Sequence, residues 1–264
     1  FQAEDGIRDA QESRGLGDVY KRQEWYDVLD STQNFLSSLA RQGKRGEGAI
    51  IAARMQTAGR GRGQRQWLSS PGKDLAFSFL ISCPEAPFPI GALGMAAAIA
   101  VAETVRHFGP AAQLKWPNDV LVANRKIAGI LVERLVNGSA SLAVVGIGLN
   151  INMSREEAQR LPAATSLYLE TGKNHEVAVV LDDLLARLSP WLERWRCGGW
   201  PLLQARWEEH SFFRTGQKLR LKIGAFLRTG ILAGYGAHGE ILLRNDKGEI
   251  EAIWSGEAES VHGE

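Results

Sequence analysis

The sequence predicts an α+β protein, a mixed and mostly antiparallel sheet packed with helices, followed by a small C-terminal β-barrel. Three observations carry that expectation. Compact apolar runs separated by short turns recur through the first 150 residues. Two long stretches, "IGALGMAAAIAVAETVRH" and "VAVVLDDLLARLSPWLERWRCGG", read as helices, the second with leucines at i, i+3 and i+4. From about Arg214 the pattern changes to four or so short alternating segments set apart by glycine-bearing turns, as in a small antiparallel barrel.

The elements follow in order. Residues 1–23 carry no apolar signal core and no apolar face, and read as a disordered or non-native extension. "EWYDVL" is a short strand, and Asp30, Ser31 and Thr32 are helix-start residues ahead of Phe35, Leu36 and Leu39 at helical spacing, with a stop at Gly43. "GAIIAARM" and "DLAFSFLIS" are neighbouring strands joined by "AGRGRGQRQWLSS". The alanine-rich helix begins near Ile90 and ends near His107. "AAQLKWPNDVLVANRKIAGILVERLV" then reads as strand, turn at Pro117-Asn118-Asp119, strand, tight turn at Asn124-Arg125, and strand. "SLAVVGIGLNIN" is a further buried strand, "EEAQRL" a short helix, and the leucine-rich helix closes a first domain at 24–213, leaving 214–264 for the barrel.

At 264 residues the chain has ample core for two domains, and 44% hydrophobic with 23% charged residues, close to the soluble globular average, indicates neither a chain disordered as a whole nor a fibre. A net charge of +1 argues against a protein that coats nucleic acid, so the arginine cluster is a local feature. Cys83 and Cys197 lie far apart without ligand spacing, which suggests neither zinc nor a disulfide framework and fits a reducing cytoplasm. The most apolar segment carries two prolines at its start and a glutamate near its end, so no membrane span is expected. His107, His175, His210, His238 and His262 fall in unrelated contexts with no triad or metal spacing. Trp191, Trp195, Trp200 and Trp207 sit at or near helical spacing and read as packing.

The arginine loop carries the first chemical signal. Gly59, Gly61 and Gly63 disfavour helix and make it a mobile segment. In an extended chain Arg60 and Arg62 share a face, with Arg65 available from the other side, and such a cluster is favourable when an anion sits among the guanidinium groups. The glycines let backbone amides approach the same anion, and Trp67 offers a flat face to a heteroaromatic ring. An anion together with a ring suggests a nucleotide. The competing reading is an RGG-like nucleic-acid patch or an ordinary solvated loop. No G-x-x-x-x-G-K-[ST] is present, and "GIGLNI" at 146–151 lacks the third glycine of a dinucleotide fingerprint.

"KWPNDVLVANRKIAGILVE" carries the second. Asp119 in the turn, Lys126 on the next strand and Glu133 at its far end belong to one hairpin, so Asp119 and Lys126 can face one cavity. A lysine beside an apolar strand can be held toward a buried anion and stabilise charge developing there.

"GRGRGQRQW", "KWPNDV", "RKIAGILVE" and "GIGLNIN", in that order, resemble the biotin protein ligase family, the biotin–acetyl-CoA-carboxylase ligases, from about Tyr26 to the C-terminus. "DSTQNFL" is similar to the family's S-T-N-like start, with Gln33 where asparagine is common. The resemblance implies a class II synthetase-like catalytic domain of the biotin/lipoate ligase type. It implies that Ser31, Thr32 and Gln56 hydrogen-bond the ureido ring of biotin, and that Arg60, Arg62 and Arg65 clamp carboxylate and phosphates as the loop closes. Trp67 would stack on adenine and Asn150 hydrogen-bond it. Lys126 would contact the biotin carboxyl oxygen and the α-phosphate, with Arg62 beside it in catalysis, while Asp119 would assist Mg²⁺ or orient the loop; no protein residue is assigned as a metal ligand.

The implied substrates are biotin and ATP with Mg²⁺, and the implied acceptor is a lysine of a biotin carboxyl carrier domain. The chain resembles the short class without an N-terminal DNA-binding domain, so DNA is not an expected partner, and a homodimer is left open. Lipoate or octanoate transfer on the same fold, and a nucleic-acid-binding module, are the alternatives.

Overall fold

The apolar runs pair into one seven-stranded sheet of order β1-β2-β3-β7-β6-β5-β4. The structure, a computed structural model, describes residues 23–63, 65–83, 90–137 and 140–261. The expected N-terminal extension lies outside these residues except Gln23, which begins β1. The strands are β1 (Gln23–Leu29), β2 (Ile50–Gln56), β3 (Leu75–Ser82), β4 (Ala112–Lys115), β5 (Asp119–Val122), β6 (Arg125–Asn137) and β7 (Ala140–Leu149). Only β1 and β2 run parallel, because α1 (Thr32–Arg41) crosses between them; the other pairs are antiparallel, joined by short turns or by longer connections. The expected mixed, mostly antiparallel sheet with helices is therefore what the chain forms.

The two faces of this sheet carry different helices. Alternate residues point to opposite faces, and Ala52, Phe77, Phe79 and Val145 join the core that contains α2 (Ile90–His107) and α5 (Val177–Arg196). α2 is buried nearly all round; its alanines let it approach β4, β5 and β6 as well as α5 and α6 (Trp200–His210). On the opposite face Leu36 and Ala40 of α1 pack on Ile51, Leu80, Leu135 and Val144. Two short helices, α3 (Arg155–Gln159) and α4 (Leu167–Thr171), follow β7, each with a serine cap whose side chain accepts a backbone N–H. α6 is a separate helix that the tryptophan spacing alone does not announce. Trp195 and Trp207 are fully buried, in keeping with a packing role.

Past α6 the alternating segments form β8 (Lys218–Ile223), β9 (Phe226–Tyr235), β10 (Ile241–Arg244), β11 (Ile250–Ile253) and β12 (Glu257–Ser260), all antiparallel, in the order β11-β10-β9-β8-β12. Among the described residues β11 and β12 remain edges, so the expected small β unit is present as an open sheet and no closed barrel forms.

This second sheet is seated against the first unit by close contacts. Trp116, buried at the end of β4, donates its indole N–H to Gly239 O at 2.9 Å, and Ser211 and Tyr235 share a buried hydrogen bond of 2.7 Å. Gly91 at the start of α2 faces Gly239, which has φ +94°; a Cβ on Gly91 would lie 2.5 Å from His238 O. Backbone on both sides cannot yield cheaply. Gly91→Ala should therefore lower stability by about 1–3 kcal/mol in urea denaturation, whereas a melt indistinguishable from the parent would show that the junction is loose.

Candidate active site

On the α1 face of the sheet the side chains shrink where β3, β7 and β6 meet. Ala76 and Ser78 of β3 pair with Gly148 and Gly146 of β7, and these pair with Gly129 and Leu131 of β6. Alternation puts all six on one face. Beyond α1 this strip of small residues leaves a cavity of about 110 Å³. Glycines two apart in a strand mark a place where something approaches closely, and here that is Trp67. A Cβ on Gly148 would lie 2.2 Å from the indole, and one on Gly129 3.2 Å. Ligand sites of drug-sized molecules span ~300–1,000 Å³, so the cavity is part-filled by the chain's own side chains.

The N-terminus of α1 supplies a neutral polar wall. Thr32 donates its backbone N–H to Gln56 Oε1 at 2.8 Å and its hydroxyl lies 2.9 Å from that of Ser78. Gln33, almost fully buried, donates to Val144 O and Glu133 and accepts from Ser78. Ser31 caps the helix in extended conformation, yet its buried Oγ has no partner, and it lines the cavity. A buried hydroxyl left unpaired costs ~1–3 kcal/mol, so this wall is complete only with a polar ligand in place.

A second wall carries the charge. Lys126 Nζ pairs with Asp119 Oδ1 at 2.6 Å and stands 5.6 Å from the Trp67 ring centroid. The hairpin β5–β6 brings both groups to the cavity, as their spacing predicts. The loop itself folds as a small hairpin, with a bridge between Arg60 and Gln66 and with Trp67 N–H donating to Gly59 O at 2.9 Å.

The expected parallel display of Arg60 and Arg62 does not occur. Arg60 turns to Glu133 through two nitrogens, at 2.5 and 2.9 Å, and to Asn34. Arg65 pairs with Glu257 of β12. Arg62 reaches Asn118 Oδ1 and Gly256 O, both at 3.3 Å. Like charges repel, and each guanidinium has taken a different oxygen of the chain. Arg62 alone of the three has only neutral oxygens as its hydrogen-bond partners. Burial, and then repulsion from Arg65, push its pKa below the ordinary arginine value, with Asp119 opposing. It is a cation short of an anion.

Ser31, Thr32, Gln56, Arg60, Arg62, Arg65, Trp67, Asp119 and Lys126 all line the one cavity. Asn150 does not line it. Asn150 is buried just past β7, where its Nδ2 donates to Thr165 O at 2.9 Å and its backbone N–H to Ile127 O, so one of its two amide hydrogens is engaged within the chain. The structure adds Gln33, Ser78, Asn118, Gly129, Gly146 and Gly148 to the lining; of these only the alternate glycines of "GIGL" carried a signal, that of close approach. The loop's exit leg is fixed separately. Asp74 accepts the backbone N–H of Ser70 and of Ile151, and burial raises its pKa. Glu157 pairs with Lys73; burial raises its pKa, but hydrogen bonds from the Ser154 backbone and from Ser70 and Lys73 outweigh that and bring it to about 2.

Asp119 is the carboxylate that lines the cavity, and no cluster of three or more His, Cys, Asp or Glu able to hold a metal exists among the described residues. A divalent cation here would thus take most of its ligands from bound phosphate and water, a mode suited to Mg²⁺.

The model of the biotin/lipoate A/B protein ligase family matches residues 25–150. The bifunctional ligase/repressor BirA of Escherichia coli (strain K12) is 33% identical over 232 residues, which cover 87% of this chain and 71% of that protein. The chain belongs to the biotin/lipoate A/B protein ligase family. This ligase-family chain is also 33% identical over 211 residues to the biotin–[acetyl-CoA-carboxylase] ligase of Paracoccus denitrificans, covering 76% of this chain and 85% of that one. A solved biotin protein ligase from Aquifex aeolicus, in complex with biotin and ATP, superposes with a TM-score of 0.77 at 31% identity, covering 92% of this chain and all of that one.

The close seat of Trp67 yields a test that needs no ligand. Gly148→Ala should cost about 1–3 kcal/mol by overpacking the indole, and should cost under roughly 0.5 kcal/mol in a Trp67→Ala background, where distant or relieved sites no longer couple. Equal losses in both backgrounds, read by urea denaturation, would mean that Trp67 does not rest on the glycine strip.

Proposed function

We propose that the chain is an ATP-dependent ligase that activates biotin as biotinyl-5′-AMP and transfers it to a lysine of a biotin carboxyl carrier domain in the cytoplasm. One observation supports this above the rest: a single cavity carries both an unpartnered buried hydroxyl, Ser31 Oγ, and an underpaired half-buried guanidinium, Arg62. The first suits a neutral polar ring, and the second suits a phosphate or carboxylate oxygen. Among the described residues no helix is long and apolar enough to cross a membrane.

In the first half-reaction the biotin carboxylate oxygen attacks the α-phosphorus of ATP, an O–P bond forms, and pyrophosphate leaves. Both reactants are anions. Lys126 and Arg62 offset their repulsion in a partly dry cavity where such attraction is stronger than in water. Lys126 can do this only by leaving Asp119, so the substrates compete with an internal carboxylate. Ser31, Thr32 and Gln56 orient the ureido end, and Trp67 gives the nucleotide a flat partner. Mg²⁺ enters with ATP as its counter-ion. In the second half-reaction the unprotonated amine of the acceptor lysine attacks the anhydride carbonyl, the amide forms, and AMP departs. The loop shields the anhydride from water in the interval.

The chain should catalyse exchange of labelled pyrophosphate into ATP that depends on biotin; exchange supported by lipoate and not by biotin would replace the ligand class, and none with either would reject the reading. Lys126→Ala should slow that exchange ~10²–10³-fold, the usual cost of one lost charge-stabilising donor, with little change in biotin affinity by calorimetry. Parent-like exchange in this variant would remove Lys126 from the chemistry.

A further inference from the structure

Glu133 is the one carboxylate of the β5–β6 hairpin to which the chemistry above gives no role. It lies on the same face of β6 as Gly129 and Leu131, opposite Val144 and one step beyond Gly146. Both its oxygens are engaged. Oε1 accepts from Arg60 Nη2 at 2.5 Å, and Oε2 accepts from Arg60 Nη1 at 2.9 Å and from Gln33 Nε2 at 3.0 Å. Asn34, the next residue of α1, adds a bond of 2.9 Å to Arg60. The chain is fitted around this cluster, for a Cβ on Gly146 would lie 2.6 Å from Gln33 Oε1. Glycine at 146 thus gives Gln33 the room to reach both Val144 O and Glu133.

We infer that Glu133 is a positioning residue: together with Gln33 it fixes Arg60 as the immovable root of the arginine loop, leaving Arg62 as the cation that transfers to the ligand. The three arginines are held unequally. Arg65 and Glu257 are 63% and 57% exposed, a pair that water weakens. Arg62 has two long bonds to neutral oxygens. Arg60 and Glu133 are 36% and 31% exposed and meet in a fork-to-carboxylate arrangement, the strongest geometry of the three. An arriving anion therefore recruits Arg62 and Arg65 before Arg60. Packing does not enforce the Arg60 pair, since its outer side opens on a separate cavity of about 470 Å³ lined also by Ser37, Arg41 and Arg134. Charge holds it, so removing the charge releases it.

The inference rests on the ligase reading for its catalytic consequence alone, and the anchor can be tested without ligand. Limited trypsin digestion of the ligand-free full chain, followed by mass spectrometry, reads cleavage after Arg60 and Arg62. Glu133→Gln should raise it roughly two- to fivefold, the usual worth of such a pair, with Glu133→Asp closer to the parent because it keeps the charge. Unchanged cleavage in Glu133→Gln, or Asp no better than Gln, overturns the anchor. If Glu133→Gln does not fold, Arg60→Gln, which removes the other charge of the pair, should show the same rise in cleavage after Arg62.

The catalytic half is read from the escape rate of biotinyl-AMP in a double-mutant cycle. Glu133→Gln and Arg60→Ala should each speed escape, and the double variant should be no faster than Arg60→Ala alone, since Glu133 acts through Arg60. Additive effects overturn the relay. A parent that forms no adenylate overturns the ligase reading and this half with it, while the digestion still decides the anchor.

Discussion

Four cations, Lys126, Arg60, Arg62 and Arg65, converge on one cavity, and their mutual repulsion is the constraint on which the rest of the site depends. The chain meets it with oxygens of its own: Asp119 for Lys126, Glu133 for Arg60, Glu257 for Arg65, and two neutral oxygens for Arg62. Substrate binding is then an exchange of partners. An anion entering the cavity gains most from the cation whose present partners are weakest, so the unequal pairing sets the order in which the loop commits itself. It also ties the loop to both units, because Glu257 begins β12 of the second sheet, with Gly256 just before it, and Glu133 belongs to the first.

The fold contributes a place where side chains vanish. α1 covers one part of its face with Leu36 and Ala40, and the Gly129, Gly146 and Gly148 strip begins where that cover stops. Larger side chains there would close the cavity and displace Trp67. The antiparallel hairpin β5–β6 then sets Asp119 and Lys126 beside the strip, and the loop between β2 and β3 passes over it. Position in the sheet, more than any one residue, makes these groups neighbours.

Much of this was legible in the sequence, for identifiable reasons. Period and turn residues marked β1 to β7, and the alanine-rich helix was placed at its observed start, Ile90. α6 has no signal of its own in the sequence, which ends the leucine-rich helix at Gly199 and reads Trp200 and Trp207 only as packing. The Asp119–Lys126 meeting could be read because one hairpin holds both. The arginines could not be aimed, because their partners lie 26 to 194 residues away along the chain. Local geometry predicted a shared face for Arg60 and Arg62; distant oxygens decided otherwise. Asn150 lies outside the cavity lining, with its amide bonded to Thr165 O in a segment whose path no pattern revealed.

If partner exchange governs the site, Arg62 should matter for the phosphate and not for biotin by itself. Calorimetric titration of the parent and of Arg62→Ala, with biotin and with a non-hydrolysable biotinyl-AMP analogue, separates the two directly. The account predicts that Arg62→Ala weakens the analogue by about 10- to 150-fold, the worth of a hydrogen bond to a charged group, and leaves biotin affinity essentially unchanged. Equal losses for both ligands, or none for the analogue, would contradict it.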